Sequence, residues 1–127
     1  MSSTQKLILL LGLLWISHPS LAQRASLILG QWKNMEEPDR QMEFILGNDG
    51  KYQAHIIHDT DDASHHGKVV LKDLQYDAKT KSFKGLMSPP DADMELTATV
   101  FFEGPDKLKI VAKKFIMTKT IHLEKLK

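Results

Sequence analysis

The residues best suited to chemistry lie in one stretch, His55-Ile56-Ile57-His58-Asp59-Thr60-Asp61-Asp62-Ala63-Ser64-His65-His66. Imidazole beside carboxylate suits zinc, nickel or copper, so the stretch raises a metal reading through His58, His65 and His66. The spacing works against it. Residues three apart on a strand face opposite sides, so His55 and His58 cannot share an ion unless a bulge intervenes. His65 and His66 fall in a loop rich in turn formers, expected to be solvated. We therefore expect no ordered metal centre and no cofactor, with His58, His65 and His66 kept as the alternative ligand set. His122 stands far along the chain.

Two pairs of neighbouring carboxylates, Glu36-Glu37 and Asp61-Asp62, could be read as acid and base. General acid–base work needs a buried environment that separates the two pKa values, and these pairs sit among turn formers. The chain has no Gly-x-Ser-x-Gly elbow, no His-Glu-x-x-His and no phosphate-cradling glycine loop. With 0 Cys it has no thiol nucleophile, no thiolate metal site and no disulfide staple. Catalysis is not expected.

The elements that must position any site begin after an apolar leader. Lys6 precedes an apolar run over 7–16, and Ser20-Leu21-Ala22 has the small residues of a signal-peptidase site. We expect a signal peptide over 1–22, cleavage after Ala22, one domain over 23–127 and a periplasmic or extracellular location. The run is too short to span about 30 Å of hydrocarbon, so no transmembrane anchor is expected. Lys6 is the leader's one charged residue, so the remaining basic residues balance the 16 acidic ones. Phosphate binding needs a basic excess, so no nucleic-acid partner is expected.

Short segments punctuated by turns about every ten residues give an all-β pattern. Met42, Phe44 and Leu46 alternate with polar residues; Asn48-Asp49-Gly50 turns the chain, and Tyr52, Ala54 and Ile56 share one face of the return strand. A strand over 69–76 is bent at Lys72-Asp73, and another runs over 82–87. Pro89-Pro90-Asp91 is a rigid loop. In the strand over 94–103, Met94, Leu96, Ala98, Val100 and Phe102 point one way. Leu108, Ile110 and Ala112, then Met117, Ile121 and Leu123, complete the set. No segment has a helical period of apolar residues. About eight antiparallel strands in up-and-down order bury their apolar face best by closing into a barrel, which also removes exposed edges. A two-sheet sandwich is the alternative.

Tyr52, Met87, Met94 and Phe102 are candidates to line a cavity for an apolar ligand. An eight-stranded barrel is near the size at which side chains either fill the interior or leave room for one small ligand. Trp32 reads either as a stacking aromatic in the barrel mouth or as a plug, with Gly30 permitting close backbone approach.

Gly30-x-Trp32 on the first strand resembles the lipocalin and fatty-acid-binding calycins. More of the chain resembles a narrower bacterial group, the domain-of-unknown-function family numbered 2147. Its pattern stands here as Gly30-Gln31-Trp32, Asp49-Gly50-Lys51-Tyr52, Phe83-Lys84-Gly85, Pro89-Pro90-Asp91, Leu108-Lys109-Ile110 and Lys119-Thr120. The resemblance implies a secreted or periplasmic lipocalin-like barrel and no established reaction. It also implies a basic residue near the end of the chain packed on the first-strand Trp. Family members often carry Arg in the slot of Lys119, so barrel closure is assigned to Gly30, Trp32 and Lys119, with Lys113 and Lys125 as rivals. Lys lacks the flat guanidinium that stacks well on indole.

The expected function is non-enzymatic binding of a small apolar or amphipathic ligand. The alternatives are a structural or interaction protein of the cell envelope with a protein partner, and metal binding through the loop at 55–66.

Overall fold

The computed structural model describes residues 21–127, and the leader expected over 1–22 lies outside them apart from its last two positions. A short helix α1 (Leu21–Ser26) precedes eight strands: β1 (Gly30–Asn34), β2 (Gln41–Leu46), β3 (Tyr52–His58), β4 (Val69–Asp77), β5 (Ser82–Met87), β6 (Leu96–Gly104), β7 (Lys107–Lys114) and β8 (Met117–Lys125). Each strand pairs antiparallel with the next, and β1 pairs with β8, so the sheet is a closed up-and-down barrel. The closing register is Trp32 opposite Lys125, Lys33 opposite Glu124 and Asn34 opposite Leu123. That pairing excludes the two-sheet sandwich, which would leave β1 and β8 as edges.

Period-2 alternation sets the interior. Trp32, Met42, Phe44, Ala54, Ile56, Val100, Ile110 and Leu123 are buried, and the residues between them face outward. The bend expected at Lys72-Asp73 is a bulge: the β4–β5 register shifts between Lys72 and Gln75, and Asp73 takes φ 57°. The bulge packs onto Gly85, where a Cβ would lie 2.5 Å from the Lys72 carbonyl oxygen and 2.9 Å from Leu74 Cδ2.

Two helical pieces differ from the all-strand expectation. Both α1 and a 3-10 turn (Ala63–His65) are too short to display an amphipathic period. The 3-10 turn is fixed by Asp62, whose side chain accepts from the Ser64 N–H at 2.9 Å. Among the described residues no helix is long and apolar enough to cross a membrane.

Candidate functional site

The two ends of the barrel are built differently. At one end lie α1 and the β2–β3, β4–β5 and β6–β7 turns, and this end is filled. Trp32 is fully buried and meets Phe44 edge-on at 6.4 Å. Its Nε1–H donates to the Ile28 carbonyl at 2.9 Å, which ties the chain leaving α1 across the barrel end. Gly30 adopts φ +117°, a conformation open to glycine and strained for other residues. Lys125 Nζ sits 5.1 Å from the centre of the Trp32 ring and donates to the carbonyls of Leu29 at 2.9 Å and Leu27 at 3.3 Å.

The cation over Trp32 is therefore Lys125, which corrects the placement of Lys119. Both lysines lie on the inward stripe of β8, because Lys119 pairs with buried Ala112 and Lys125 with Trp32. The closing register decides between them, and it carries Lys119 to the opposite end. Lys113, on the outward stripe of β7, faces neither.

The filled end also absorbs two of the residues expected to line a cavity. Tyr52 packs edge-on against Phe83 at 5.5 Å, and Phe83 meets Tyr76 at 5.0 Å and Phe102 at 6.3 Å. Tyr52 is thus core. Phe102 borders a separate surface depression with Arg24, Leu27 and Tyr76. Met94 packs against the core just before β6 and does not border the cavity at the open end of the barrel.

At the other end, between the β1–β2, β3–β4, β5–β6 and β7–β8 connections, the barrel opens into a cavity of about 200 Å³. Met42, Val70, Leu71, Met87, Ile110 and Ile121 form its apolar wall. Asn34, Glu36, Glu37, Arg40, Lys119 and Thr120 form a polar rim. Of the expected ligand-lining residues, Met87 is here. Met42, Ile110 and Ile121 belong to the inward stripes already visible in the alternation, whereas consecutive Val70 and Leu71 both reach the wall because the β3–β4 register shifts beside them. Of the rim residues, Asn34, Glu36, Glu37 and Arg40 lie in the β1–β2 connection or at the strand end before it, where no alternation points to them, while Lys119 and Thr120 lie within β8.

A buried polar network fixes this mouth. Asp59 Oδ2 takes hydrogen bonds from His65 Nδ1 at 2.8 Å and Arg40 Nε at 3.1 Å, and Asp59 Oδ1 accepts from the Asp61 N–H at 3.2 Å. Arg40 also meets Glu37 at 3.1 Å and Asp91 at 3.7 Å. The second nitrogen of His65 faces Asp91 at 3.1 Å and Asp62 at 3.3 Å. Three loops are held together by one arginine and one histidine. The hydrogen bond from His65 holds the Asp59 carboxyl down at about 2, with Arg40 and the Asp61 N–H adding to it against the opposing effect of burial.

This network overturns the solvated-loop expectation for His65, and the three histidines of the alternative metal set have different partners. His65 is buried, and its two ring nitrogens face carboxylates. His66 Nε2 accepts from the Asp59 N–H at 3.0 Å, while His58 is exposed with its ring 5.9 Å from that of His66. The three do not converge. Among the described residues no group of three or more His, Asp or Glu side chains is arranged to hold a metal ion. The carboxylate pairs also hold loops. Burial pushes the Glu36 carboxyl up, but its bonds from His122, at 2.8 Å from the ring, and from main-chain N–H groups outweigh this and leave it below its ordinary range. Ser64 bonds to Asp62 and lowers its pKa.

No family model matches the sequence, and no curated protein resembles it at a significant level. Its fold does have a solved counterpart. Protein HP1028 of Helicobacter pylori, described as belonging to the lipocalin family, superposes with a TM-score of 0.61 over 79% of this chain and 83% of its own. The two sequences are 20% identical, so the likeness is one of fold: a lipocalin-like barrel.

Proposed function

We propose that this protein is an exported, non-enzymatic lipocalin-like carrier that takes one small amphipathic molecule into the open end of its barrel. The cavity carries the reading: an apolar wall under a polar rim, at one end of a closed barrel whose other end is plugged. A dry apolar cavity of ~150 Å³ suffices for benzene, so about 200 Å³ suits a single ring with a short substituent or a short alkyl chain. Arg40 is engaged by Asp59, Glu37 and Asp91, and Asn34 Oδ1 accepts from the Glu36 and Glu37 N–H groups, which leaves Lys119 and Thr120 as rim groups able to meet a polar head. The same reading places the chain as a divergent member of the exported family numbered 2147, on the order and spacing of Gly30-x-Trp32, Asp49-Gly50-Lys51-Tyr52 and Phe83-Lys84-Gly85.

The test is a titration with hexanol, octanol, octanoate and phenylacetate, followed by calorimetry and by backbone amide shifts. At least one should bind, with shifts concentrated at Met42, Val70, Met87 and Ile121, and Val70→Phe should abolish binding by filling the cavity. If none of the four binds, or if Val70→Phe binds as the parent does, the reading fails.

A further inference from the structure

The cavity leaves one prominent feature unexplained. The β7–β8 hairpin turns through Phe115 and Ile116, and both side chains are fully exposed, at 96% and 103%. Met117, next in the chain, is 46% exposed. Two-residue hairpin turns that need φ > 0 favour Asn, Asp or Gly. Here a bulky aromatic takes the left-handed conformation, with Phe115 at φ 55°. Such a residue is strained there and gains no burial among the described residues.

The charge around the tip is one-sided. From Lys107 to Leu123 the chain contains Lys107, Lys109, Lys113, Lys114 and Lys119 and no Asp or Glu. Lys107, Lys109 and Lys113 lie on the outward stripe of β7 because Leu108, Ile110 and Ala112 point in. Lys109 covers the half-buried Phe101 at 5.5 Å, and only further from the tip, at Glu103 and Glu124, does the face carry acidic groups. The other three loops of the open end carry Glu37 and Asp39, Asp61 and Asp62, and Asp91 and Asp93. Apolar residues at an exposed tip, flanked in the chain by Lys113 and Lys114, match the layering of a bilayer surface: acyl chains beneath anionic phosphates.

We propose that the β7–β8 hairpin is a membrane-docking tip. Phe115 and Ile116 enter the interface of a bilayer rich in anionic lipid, and Lys113 and Lys114, which flank them, meet its phosphates. The acidic loops tilt the barrel so that one edge of the mouth touches the surface, with Lys119 on that side. The proposal is independent of whether the cavity binds a ligand.

Flotation with vesicles tests it, comparing phosphatidylcholine alone with phosphatidylcholine containing phosphatidylglycerol. The chain should float with the anionic vesicles and much less with the neutral ones. Phe115→Ser/Ile116→Ser should weaken binding at least tenfold. Lys113→Gln/Lys114→Gln should weaken it roughly 25-fold, at about fivefold for each lysine at an anionic surface. All four positions lie outside the buried core, so the melting temperature should not move; a variant that does melt early is replaced by Phe115→Trp, whose emission should shift to the blue on anionic vesicles alone. The variants share every other residue, so their difference from the parent reads the tip alone. Equal flotation of parent and Ser variant, or equal binding to neutral and anionic vesicles, overturns the proposal. So does a dimer in sedimentation velocity that the Ser variant abolishes while neither protein floats, since the tip would then serve a second copy.

Discussion

Removing the charge of Asp59 should loosen the whole mouth. Its side chain is 2% exposed, and its Oδ2 is shared by His65 and Arg40. An Asn in its place must turn an NH2 toward at least one donor, or leave the shared position short of an acceptor. The carboxyl titrates near 2 in the folded chain against an ordinary 3.8. At 1.36 kcal/mol per pKa unit this difference is worth about 2 kcal/mol of stability at neutral pH. Because the folded value is the lower one, that contribution is complete above about pH 5 and disappears as pH falls through 3.8 towards 2. Asp59→Asn should therefore cost roughly 2–3 kcal/mol at pH 7, including the donor left facing the amide. In melting temperature this is a drop on the order of 10 °C for a domain of this size. Urea unfolding followed by circular dichroism, at pH 7 and at steps down to pH 2, measures both quantities. The gap between parent and variant should close as the acid limit is approached. A gap below about 0.5 kcal/mol at pH 7, the ordinary scale of a surface change, would refute the reasoning. A gap that stays constant into acid would show that the Asp59 charge is not what holds the loops.

Four further substitutions probe the frame. Trp32→Ala should cost about 3–5 kcal/mol in urea unfolding, since it empties a fully buried aromatic site; Lys125→Met should cost about 1 kcal/mol and Lys119→Met less than about 0.5 kcal/mol, so the reverse order for the lysines would contradict the closing register. Gly85→Ala should cost about 1–3 kcal/mol, because its Cβ would press on the bulged backbone of β4, and an unchanged urea midpoint would mean that the bulge relaxes freely.

Much of the barrel was legible because a strand has a period of two. Alternation in Met42-Phe44, Leu96-Ala98-Val100 and Leu108-Ile110-Ala112 identifies the inward face without any knowledge of partners. The break at Lys72-Asp73 is the bulge. Alternation also shows that Lys119 and Lys125 share a face, and it says nothing about which end of a barrel each reaches. It likewise could not separate Met87, which borders the cavity, from Tyr52, which is spent in the Phe83 cluster, because both are inward and apolar. Arg40 gave no signal. It stands alone in a loop, and it matters because Asp59 and Asp91, far along the chain, are brought to it.

The local rules of the chain thus determined the strands, their faces, their turns and the absence of thiol chemistry, since each depends on neighbouring residues only. The pairing of β1 with β8 decided the rest. One long-range register closes the sheet, sends Lys125 onto Trp32 and leaves Lys119 at the open mouth. The convergence of three loops then turns His65, in a stretch that reads as a metal loop, into a buried partner of Asp59. These outcomes depend on which distant residues meet, and that information is held by the packed fold as a whole.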